Sequence, residues 1–482
     1  MLQTVLNVNS DRRFNLTAES LNGGILTDGD LTLTNVISGV GGLKKTGNAT
    51  LILGGQNDYT GRTIISSGNL FLTGEGGIEH SESVELSKGT SLNISSTTGG
   101  TMVNNLTGDE GSHVVLGDRF LTVNSLADSV FSGEFGAEGE TGGLLKTGAA
   151  SFTLAGQNNY TGDTTVSAGK LSLSGDSNIE KSGNVRLNRD ATLDISATTN
   201  GTMVNNLTGD EGSHVVLGDR FLTVNSLADS VFSGEFGAEG ETGGLLKTGA
   251  ASFTLAGQNN YTGDTTVSAG KLSLSGDSNI EKSGNVRLNR DATLDISATT
   301  NGTMVNNLTG DEGSHVVLGD RFLTVNSLAD SVFSGEFGAE GETGGLLKTG
   351  AASFTLAGQN NYTGDTTVSA GKLSLSGDSN IEKSGNVRLN RDATLDISAT
   401  TNGTMVNNLT GDEGSHVVLG DRLLTVNSLA DSVFSGEISG NGSLIKKGQG
   451  DMTLDGINSY QGITRIDQGI CGLIQTKVSG GE

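Results

Sequence analysis

Four of the five histidines occur in one recurring segment, which is the first place to look for catalysis. His113 follows Ser112 and precedes Asp118 in Gly-Ser-His-Val-Val-Leu-Gly-Asp, and the segment recurs at His214, His315 and His416. Serine, histidine and aspartate are the residue types of a nucleophilic triad. Here they lie too close together along one strand to converge, and identical tandem active sites would be unusual. We therefore interpret the histidine as a surface residue and predict no catalytic residues and no enzyme activity.

Acidic side chains form the second group that would support chemistry. The segment Glu-Phe-Gly-Ala-Glu-Gly-Glu at 134–140 offers carboxylates for a divalent cation, but it lacks the alternate ligand spacing of an EF-hand loop. We interpret it as a solvated loop and predict no metal and no cofactor. Compared with 36–42 and 438–443, it reads as a short insertion that would project from the surface. The candidate surface contacts are Asp109, Glu110, His113, Glu134, Glu138 and Glu140.

The elements that must position these residues are short strands. Runs such as HVVL, FLTVNSL, SFTLAG and TLDIS alternate apolar with polar residues and end at Gly, Asn, Asp or Ser. This is the pattern of strands joined by tight turns, and a helical period is not sustained anywhere. The sequence therefore predicts an all-β chain.

Composition narrows the class of all-β protein. The 482 residues include 76 Gly but no Pro and no Trp, and only 4% are aromatic. Interior strands exclude proline, propeller blades carry a tryptophan signature, and separate sandwiches usually need larger aromatic cores. A β-solenoid, with a narrow aliphatic interior and Gly/Asn turns, fits better. The net charge of −25 disfavours nucleic acid and anionic lipid, and the single Cys471 excludes an intrachain disulfide.

A long tandem repeat organises the chain. Residues 101–201 recur unchanged at 202–302 and 303–403, 1–100 is a diverged unit, and 404–482 is a partial, diverged terminal unit. At about 20 residues per coil, one copy would hold about five coils, and strands ~4.8 Å apart would give an elongated rod of roughly 115 Å.

Within each copy, 142–173 reads GGLLKTGAASFTLAGQNNYTGDTTVSAGKLSL, with diverged versions at 41–72 and 442–474. This segment resembles the passenger-associated transport repeat of autotransporters. The resemblance covers about a third of the chain and implies a right-handed parallel β-helix displayed on the surface of a Gram-negative cell. Its motif positions are Lys146, Gly148, Leu154, Gly156, Asn158, Tyr160, Gly162, Thr164 and Gly169.

The roles expected of these motif positions are structural. The glycines would allow a positive φ or a close approach between coils. Asn158 would sit in a turn and form a ladder. Tyr160 would cover a coil edge while its hydroxyl stays in water.

The resemblance also implies export through a C-terminal β-barrel and attachment to the outer membrane through it. We expect neither that barrel nor a signal peptide in this chain, because the last residues, IQTKVSGGE, and the first, MLQTVLNVNSDRRF, show neither pattern.

The first functional hypothesis is an adhesin or spacer that contacts a host-cell surface, a matrix component or a sister copy. Identical units would present one surface several times. An inert fragment of a broken autotransporter gene is the alternative, and a β-helical polysaccharide-degrading enzyme is a third hypothesis.

Overall fold

In the computed structural model, residues 2–17 and 24–473 are described, and they contain 58 β-strands and no helix. The expectation about residues 474–482 therefore concerns residues outside the described part. The chain divides into two compact units, Met1–Gly244 and Leu245–Glu482.

The strands of the diverged segment are β1 (Leu2–Thr4), β2 (Val8–Ser10), β3 (Phe14–Asn15), β4 (Gly24–Thr27), β5 (Leu31–Leu33), β6 (Ile37–Ser38), β7 (Leu43–Thr46), β8 (Thr50–Leu53), β9 (Thr63–Ile65), β10 (Asn69–Gly74), β11 (Val84–Leu86) and β12 (Ser91–Thr97). Those of the first full copy are β13 (Thr101–Asn104), β14 (Leu106–Gly108), β15 (His113–Val115), β16 (Phe120–Asn124), β17 (Ser129–Phe131), β18 (Glu134–Phe135), β19 (Gly143–Thr147), β20 (Ser151–Leu154), β21 (Thr164–Val166), β22 (Lys170–Gly175), β23 (Val185–Leu187) and β24 (Thr192–Thr198).

The second copy forms β25 (Thr202–Asn205), β26 (Leu207–Gly209), β27 (His214–Val216), β28 (Phe221–Asn225), β29 (Ser230–Phe232), β30 (Glu235–Phe236), β31 (Gly244–Thr248), β32 (Ser252–Leu255), β33 (Thr265–Val267), β34 (Lys271–Gly276), β35 (Val286–Leu288) and β36 (Thr293–Thr299). The third forms β37 (Thr303–Asn306), β38 (Thr309–Gly310), β39 (His315–Val317), β40 (Phe322–Asn326), β41 (Ser331–Phe333), β42 (Glu336–Phe337), β43 (Gly345–Thr349), β44 (Ser353–Leu356), β45 (Thr366–Val368), β46 (Lys372–Gly377), β47 (Val387–Leu389) and β48 (Thr394–Thr400).

The terminal segment forms β49 (Thr404–Asn407), β50 (Leu409–Gly411), β51 (His416–Val418), β52 (Leu423–Asn427), β53 (Ser432–Phe434), β54 (Glu437–Ser439), β55 (Ser443–Lys447), β56 (Met452–Leu454), β57 (Thr464–Ile466) and β58 (Cys471–Leu473).

The first unit is a three-sided parallel β-helix. Its first face is a 12-stranded sheet from β1 to β30, and its second face begins with the seven-stranded sheet from β2 to β18. The third face carries the pair β3–β6 and then the ladder β13-β16-β19-β21-β23-β26-β29. Paired residues such as Thr153–Ser172 and Gly108–Phe131 set the coil length between 19 and 23 residues. The chain therefore returns to the same face after each coil.

The second unit has the same construction. One face is a nine-stranded sheet from β37 to β58, a second is the ladder β33-β35-β38-β41-β44-β46-β48-β51-β54, and a third begins with β32-β34-β36-β39-β42. The prediction of an all-β parallel β-helix is thus confirmed in each unit.

One copy of the repeat does not fill a whole number of coils. In the first unit five successive pairings run along one face from Met102 through Thr122, Leu145, Thr165 and Arg186 to Thr208. Thr208 is the equivalent of Thr107 and not of Met102, because the period is 101 residues. Five coils therefore contain one strand position more than one copy supplies. Because each coil has three such positions, one for each face, a copy spans 4⅔ coils.

The consequence is that equivalent strands move to a neighbouring face. Strand β13 shares its sheet with β26, whereas its own equivalent, β25, belongs to a different sheet. The second unit shows the same shift independently, since β37 shares its sheet with β50 while β49 lies in another. The expectation of about five coils per copy was close, but the missing third of a coil turns each copy by one face.

The core is a continuous stack of inward side chains. Leu121, Leu144 and Val185 lie on one face with no exposed surface, as the period of two in each strand requires. Each full copy adds an aromatic cluster: in the first copy Phe135 packs edge-on against Phe131, Phe152 and Tyr160, with ring centroids 5.9, 6.4 and 5.6 Å apart.

Candidate functional site

The motif lysine lies inside the coil. Lys146 has no exposed surface, and its Nζ donates hydrogen bonds to the carbonyl oxygens of Thr147, Gly148 and Ala168 at 2.8, 2.8 and 3.0 Å. Because Ala168 belongs to the next coil, the ammonium group ties two coils together. Burial lowers the pKa of Lys146 to about 8, since the charged form loses its hydration. Equivalent contacts occur at Lys45, Lys247, Lys348 and Lys446.

These lysines predict an unusual pH dependence of stability. The folded pKa of Lys45, Lys146, Lys247 and Lys348 is about 8, below an unfolded value of about 10.4. Between the two values the unfolded chain binds more protons, so stability should rise with pH. Buried tyrosines, whose pKa burial raises, reverse the trend above about pH 10.

The measurement is the thermal unfolding midpoint at pH 7.5, 8.5 and 9.5 at constant ionic strength. We expect the midpoint to rise across this series, and replacing Lys45 by methionine should reduce the slope. A falling midpoint in the unaltered chain would mean that the three carbonyl oxygens keep the lysines fully charged in the folded state.

The motif tyrosine is also internal, and the expectation of a wet hydroxyl is wrong. Tyr160 is 1% exposed, and its hydroxyl lies 2.7 Å from Thr164 Oγ1, which lies 2.9 Å from Ser182 Oγ. Ser182 Oγ in turn donates to the carbonyl oxygen of Gly162 at 3.0 Å. The chain of hydroxyls satisfies the buried phenol and connects successive coils.

The other motif residues shape the turn. Asn158 is buried and donates from Nδ2 to Ser177 Oγ and the Asn178 carbonyl, both at 2.9 Å. It therefore bonds to the next coil through a serine and a backbone group and not through a stacked asparagine. Asparagine pairs do occur elsewhere, where Asn124 Nδ2 donates to Asn104 Oδ1 at 2.7 Å.

Both expected roles of glycine occur among the motif glycines. Gly148 and Gly169 have φ of +74° and +66°, a region that favours glycine. At Gly156, a Cβ atom would lie 2.0 Å from the carbonyl oxygen of Gly133, and at Gly162 it would lie 2.4 Å from that of Gly142. Gly156 and Gly162 therefore permit adjacent coils to approach closely. With Leu154 and Thr164 also buried, the motif serves the interior.

Four of the candidate surface residues, Asp109, Glu110, His113 and Glu134, lie at one corner of the coil, where β14 turns into β15. His113 Nδ1 lies 3.1 Å from Glu134 Oε2 on the next coil. Glu134 Oε1 accepts a hydrogen bond from Asn159 Nδ2 at 2.8 Å, and Asn159 Oδ1 accepts one from Lys181 Nζ at 3.0 Å. The side chains of His113, Glu134, Asn159 and Lys181 form a polar line across four coils. Asn159 and Lys181 were not singled out from the sequence, because their connection to His113 depends on coil register.

Asp109 and Glu110 lie at the start of this corner, and both are exposed. Their equivalents in the next copy face arginines of the preceding coil, with Arg186–Asp210 at 3.2 Å and Arg189–Glu211 at 3.7 Å. In the first copy that coil is diverged, and there the Lys88 amide donates a hydrogen bond to Asp109 Oδ2 at 3.3 Å.

The acidic loop after β18 is folded back against the coil. Glu140 Oε2 accepts hydrogen bonds from the Leu116 and Ala137 amides, both at 2.9 Å, and the Glu140 carbonyl accepts one from Thr161 Oγ1 at 3.0 Å. Glu140 is therefore a structural cap that holds the loop, whereas Glu138 is exposed. Within the described residues, no group of three or more His, Cys, Asp or Glu side chains is arranged to hold a metal ion.

A Ser-His-Asp triad is not formed at this corner. Ser112 is buried and its Oγ donates to the Asp109 carbonyl at 2.7 Å. Asp118 lies 3.3 Å from Arg119, and the partner of His113 is Glu134. The three residues point to three different neighbours, as expected from their spacing along the chain.

In the second unit the corner encloses a shallow groove of about 910 Å³. Its charged lining residues are Arg287, Asp311, Glu312, His315 and Glu336. Gly310 and Gly335 allow adjacent coils to pack closely beneath the groove, because a Cβ atom at Gly310 would lie 2.3 Å from the Phe333 ring and one at Gly335 would lie 2.2 Å from the Ser314 carbonyl oxygen. The next copy forms a larger groove of about 1420 Å³ with Arg388, Asp412, Glu413, His416 and Glu437.

Each copy also exposes apolar side chains that the sequence analysis did not identify. Phe120, Leu126 and Val130 are 43%, 66% and 49% exposed. The alternation of inward and outward residues could have identified them in the sequence, because Phe120 and Val130 occupy outward positions of their strands. Among the described residues, no helix is both long and apolar enough to cross a membrane.

Comparisons with known proteins match the same motif. The passenger-associated transport repeat matches residues 43–70, 144–173, 245–274, 346–375 and 444–470, which are the five segments identified from the sequence. The chain is 30% identical over 443 residues to the adhesin BmaC autotransporter of Brucella suis biovar 1 (strain 1330). That match covers 89% of this chain and 12% of the relative. No solved structure matches the chain.

All five matched repeats place their lysine inside a parallel β-helix, and four of them also bury the motif tyrosine. The chain belongs to the autotransporter passenger domains that carry passenger-associated transport repeats.

Proposed function

We propose that this segment acts at the bacterial surface as an adhesin or as a spacer, and not as an enzyme. The proposal rests on the recurrence of the same outward corner from copy to copy. The motif residues, by contrast, serve the interior of the coil. Repeated identical surfaces give one chain several sites for the same partner. A relative named as an adhesin autotransporter supports the same function.

The proposed partner is a host-cell surface, an extracellular-matrix component or a second copy on another cell. The corner supports a polar contact, because Glu110 is exposed in the turn that precedes the His113–Glu134 pair. The net charge of −25 makes nucleic acid an unsuitable partner, because phosphates would be repelled.

Neutralising the exposed corner carboxylates tests this assignment. The variant replaces Glu110, Glu211, Glu312 and Glu413 by glutamine. A matched control replaces four exposed glutamates elsewhere, Glu75, Glu180, Glu281 and Glu382, by glutamine. Both variants change the net charge equally and leave the Glu134 and Glu140 contacts intact.

The measurement is retention of purified chain on cultured epithelial cells, on immobilised matrix proteins and on beads carrying the same chain. We expect the corner variant to lose at least tenfold in retention and the control to change less than twofold. Equal losses would show that only net charge matters. If the unaltered chain were retained no better than an unrelated acidic protein, adhesion by this segment would be refuted and the spacer role would stand.

A further inference from the structure

The repeated corner changes direction from one copy to the next. In the second unit, the corner at Asp311–His315 joins β38 to β39, and its equivalent at Asp412–His416 joins β50 to β51. Strand β38 belongs to the sheet that contains β51, whereas β50 belongs to the sheet that contains β37. The same residues therefore lie at a corner one face further round.

The exposed apolar side chains follow the same rule. Val332 on β41 and Val433 on β53 are equivalent and about half exposed. They lie in different sheets of the second unit. In the first unit, β17 and its equivalent β29 are likewise in different sheets. The change of direction thus applies to every outward residue of the repeat and does not depend on which of them makes contact.

The cause is the 4⅔-coil length of a copy. With strands about 4.8 Å apart, one copy advances about 22 Å along the coil axis and turns by one of three faces. Two consecutive copies within a unit cannot lie against one flat plane with the same residues.

We propose that the tandem copies bind separate partner molecules that approach from different sides, and not one continuous flat surface. This inference rests on the proposed adhesive function and specifies its partner as discrete molecules, each bound by one copy. On a flat partner surface, only one of two consecutive copies can make contact. Among discrete molecules, each copy can bind a molecule of its own. Such a chain would connect partners around it, as a crosslinker does.

Distances between paired spin labels test the change of direction. In a Cys471→Ser background, one variant carries Met304→Cys and Thr410→Cys, which lie on one face five coils apart. A second carries Thr309→Cys and Thr410→Cys, which are equivalent in consecutive copies. All of these positions are outward in their strands, and circular dichroism checks the fold.

We expect about 24 Å for the same-face pair from five strand spacings. The copy-equivalent pair should be at least about 5 Å longer, because a lateral displacement adds to its 22 Å rise. The reverse order would show that the copies are aligned and would overturn the inference. This result does not depend on adhesion, so it separates failure of the inference from failure of the proposed function.

Dissociation kinetics test the kind of partner. A chain in which only the third copy keeps its corner carboxylate is compared with one in which the third and fourth copies, both in the second unit, keep theirs, on a flat sensor coated with the matrix protein that retains the unaltered chain. We expect dissociation rates within twofold of each other. A tenfold slower dissociation of the chain with two intact copies would show that consecutive copies engage one surface, which contradicts separate partners.

Discussion

Replacing Lys45 by methionine should weaken the coil that contains it by about 2–4 kcal/mol. Lys45 has no exposed surface, and its Nζ donates to the carbonyl oxygens of Gly47 and Ser67 at 2.7 and 2.9 Å. Methionine fills a similar length but donates no hydrogen, so buried carbonyl oxygens would lose their partner. The loss of a charge-assisted bond between coils exceeds the gain from removing a poorly hydrated ammonium group.

The adjacent Lys44 is the matched control. It is on the same strand, β7, but points outward, and Lys44→Met should change local stability by less than about 0.5 kcal/mol. Hydrogen exchange of peptides from residues 43–72 measures both variants, because this diverged segment yields sequences that occur once in the chain. We expect at least 30-fold faster exchange for the Lys45 variant. Equal exchange in the two variants would show that the internal ammonium group is dispensable.

Replacing Gly55 by alanine should separate two coils at a cost of about 3 kcal/mol. A Cβ atom there would lie 2.6 Å from the carbonyl carbon of Asn35 on the preceding coil. Backbone atoms cannot turn aside as a flexible side chain does, so the coils must move apart. Gly55 is the equivalent of the motif residue Gly156, where a Cβ atom would lie closer still to the adjacent coil, at 2.0 Å.

The neighbouring Gly54 should respond in the opposite direction. A Cβ atom there meets its nearest atom, Thr73 Oγ1, at 3.6 Å, and the full copies already carry alanine at this position, as Ala155. Gly54→Ala should raise stability by about 0.4–1 kcal/mol by restricting the unfolded chain. Thermal midpoints and exchange of the 43–72 peptides distinguish the two variants. Loss of stability in both would mean that this turn rejects any side chain, and the coil-contact argument would fail.

The internal lysine shows how much the alternation of inward and outward residues can predict by itself. In Leu43-Lys44-Lys45-Thr46 the period of two places Lys45 on the same side as Leu43, which is buried. The signal was present, but a charged residue is almost never fully buried without partners. Those partners are carbonyl oxygens of the turn and of the next coil, and only the closed coil brings them together.

The tyrosine illustrates the same limit. Its place in the motif was visible from the sequence, but its burial was not. The hydroxyl of Tyr160 is acceptable inside because Thr164 and Ser182 supply hydrogen-bond partners. Ser182 is 22 residues further along the chain and reaches Tyr160 by way of Thr164 only when one coil stacks on another.

The amino-acid sequence was sufficient for the all-β class, the solenoid, the repeat period and the family, because these depend on local alternation, turn residues and motif spacing. It also indicated four of the residues at the outward corner, Asp109, Glu110, His113 and Glu134, but not Asn159 or Lys181. The tertiary structure alone decided that Glu140 caps a loop, that Lys45 and Tyr160 lie inside, and that each copy is turned by one face. Those properties depend on which residues of successive coils pair, and coil lengths between 19 and 23 residues are set by corner geometry that no single coil encodes.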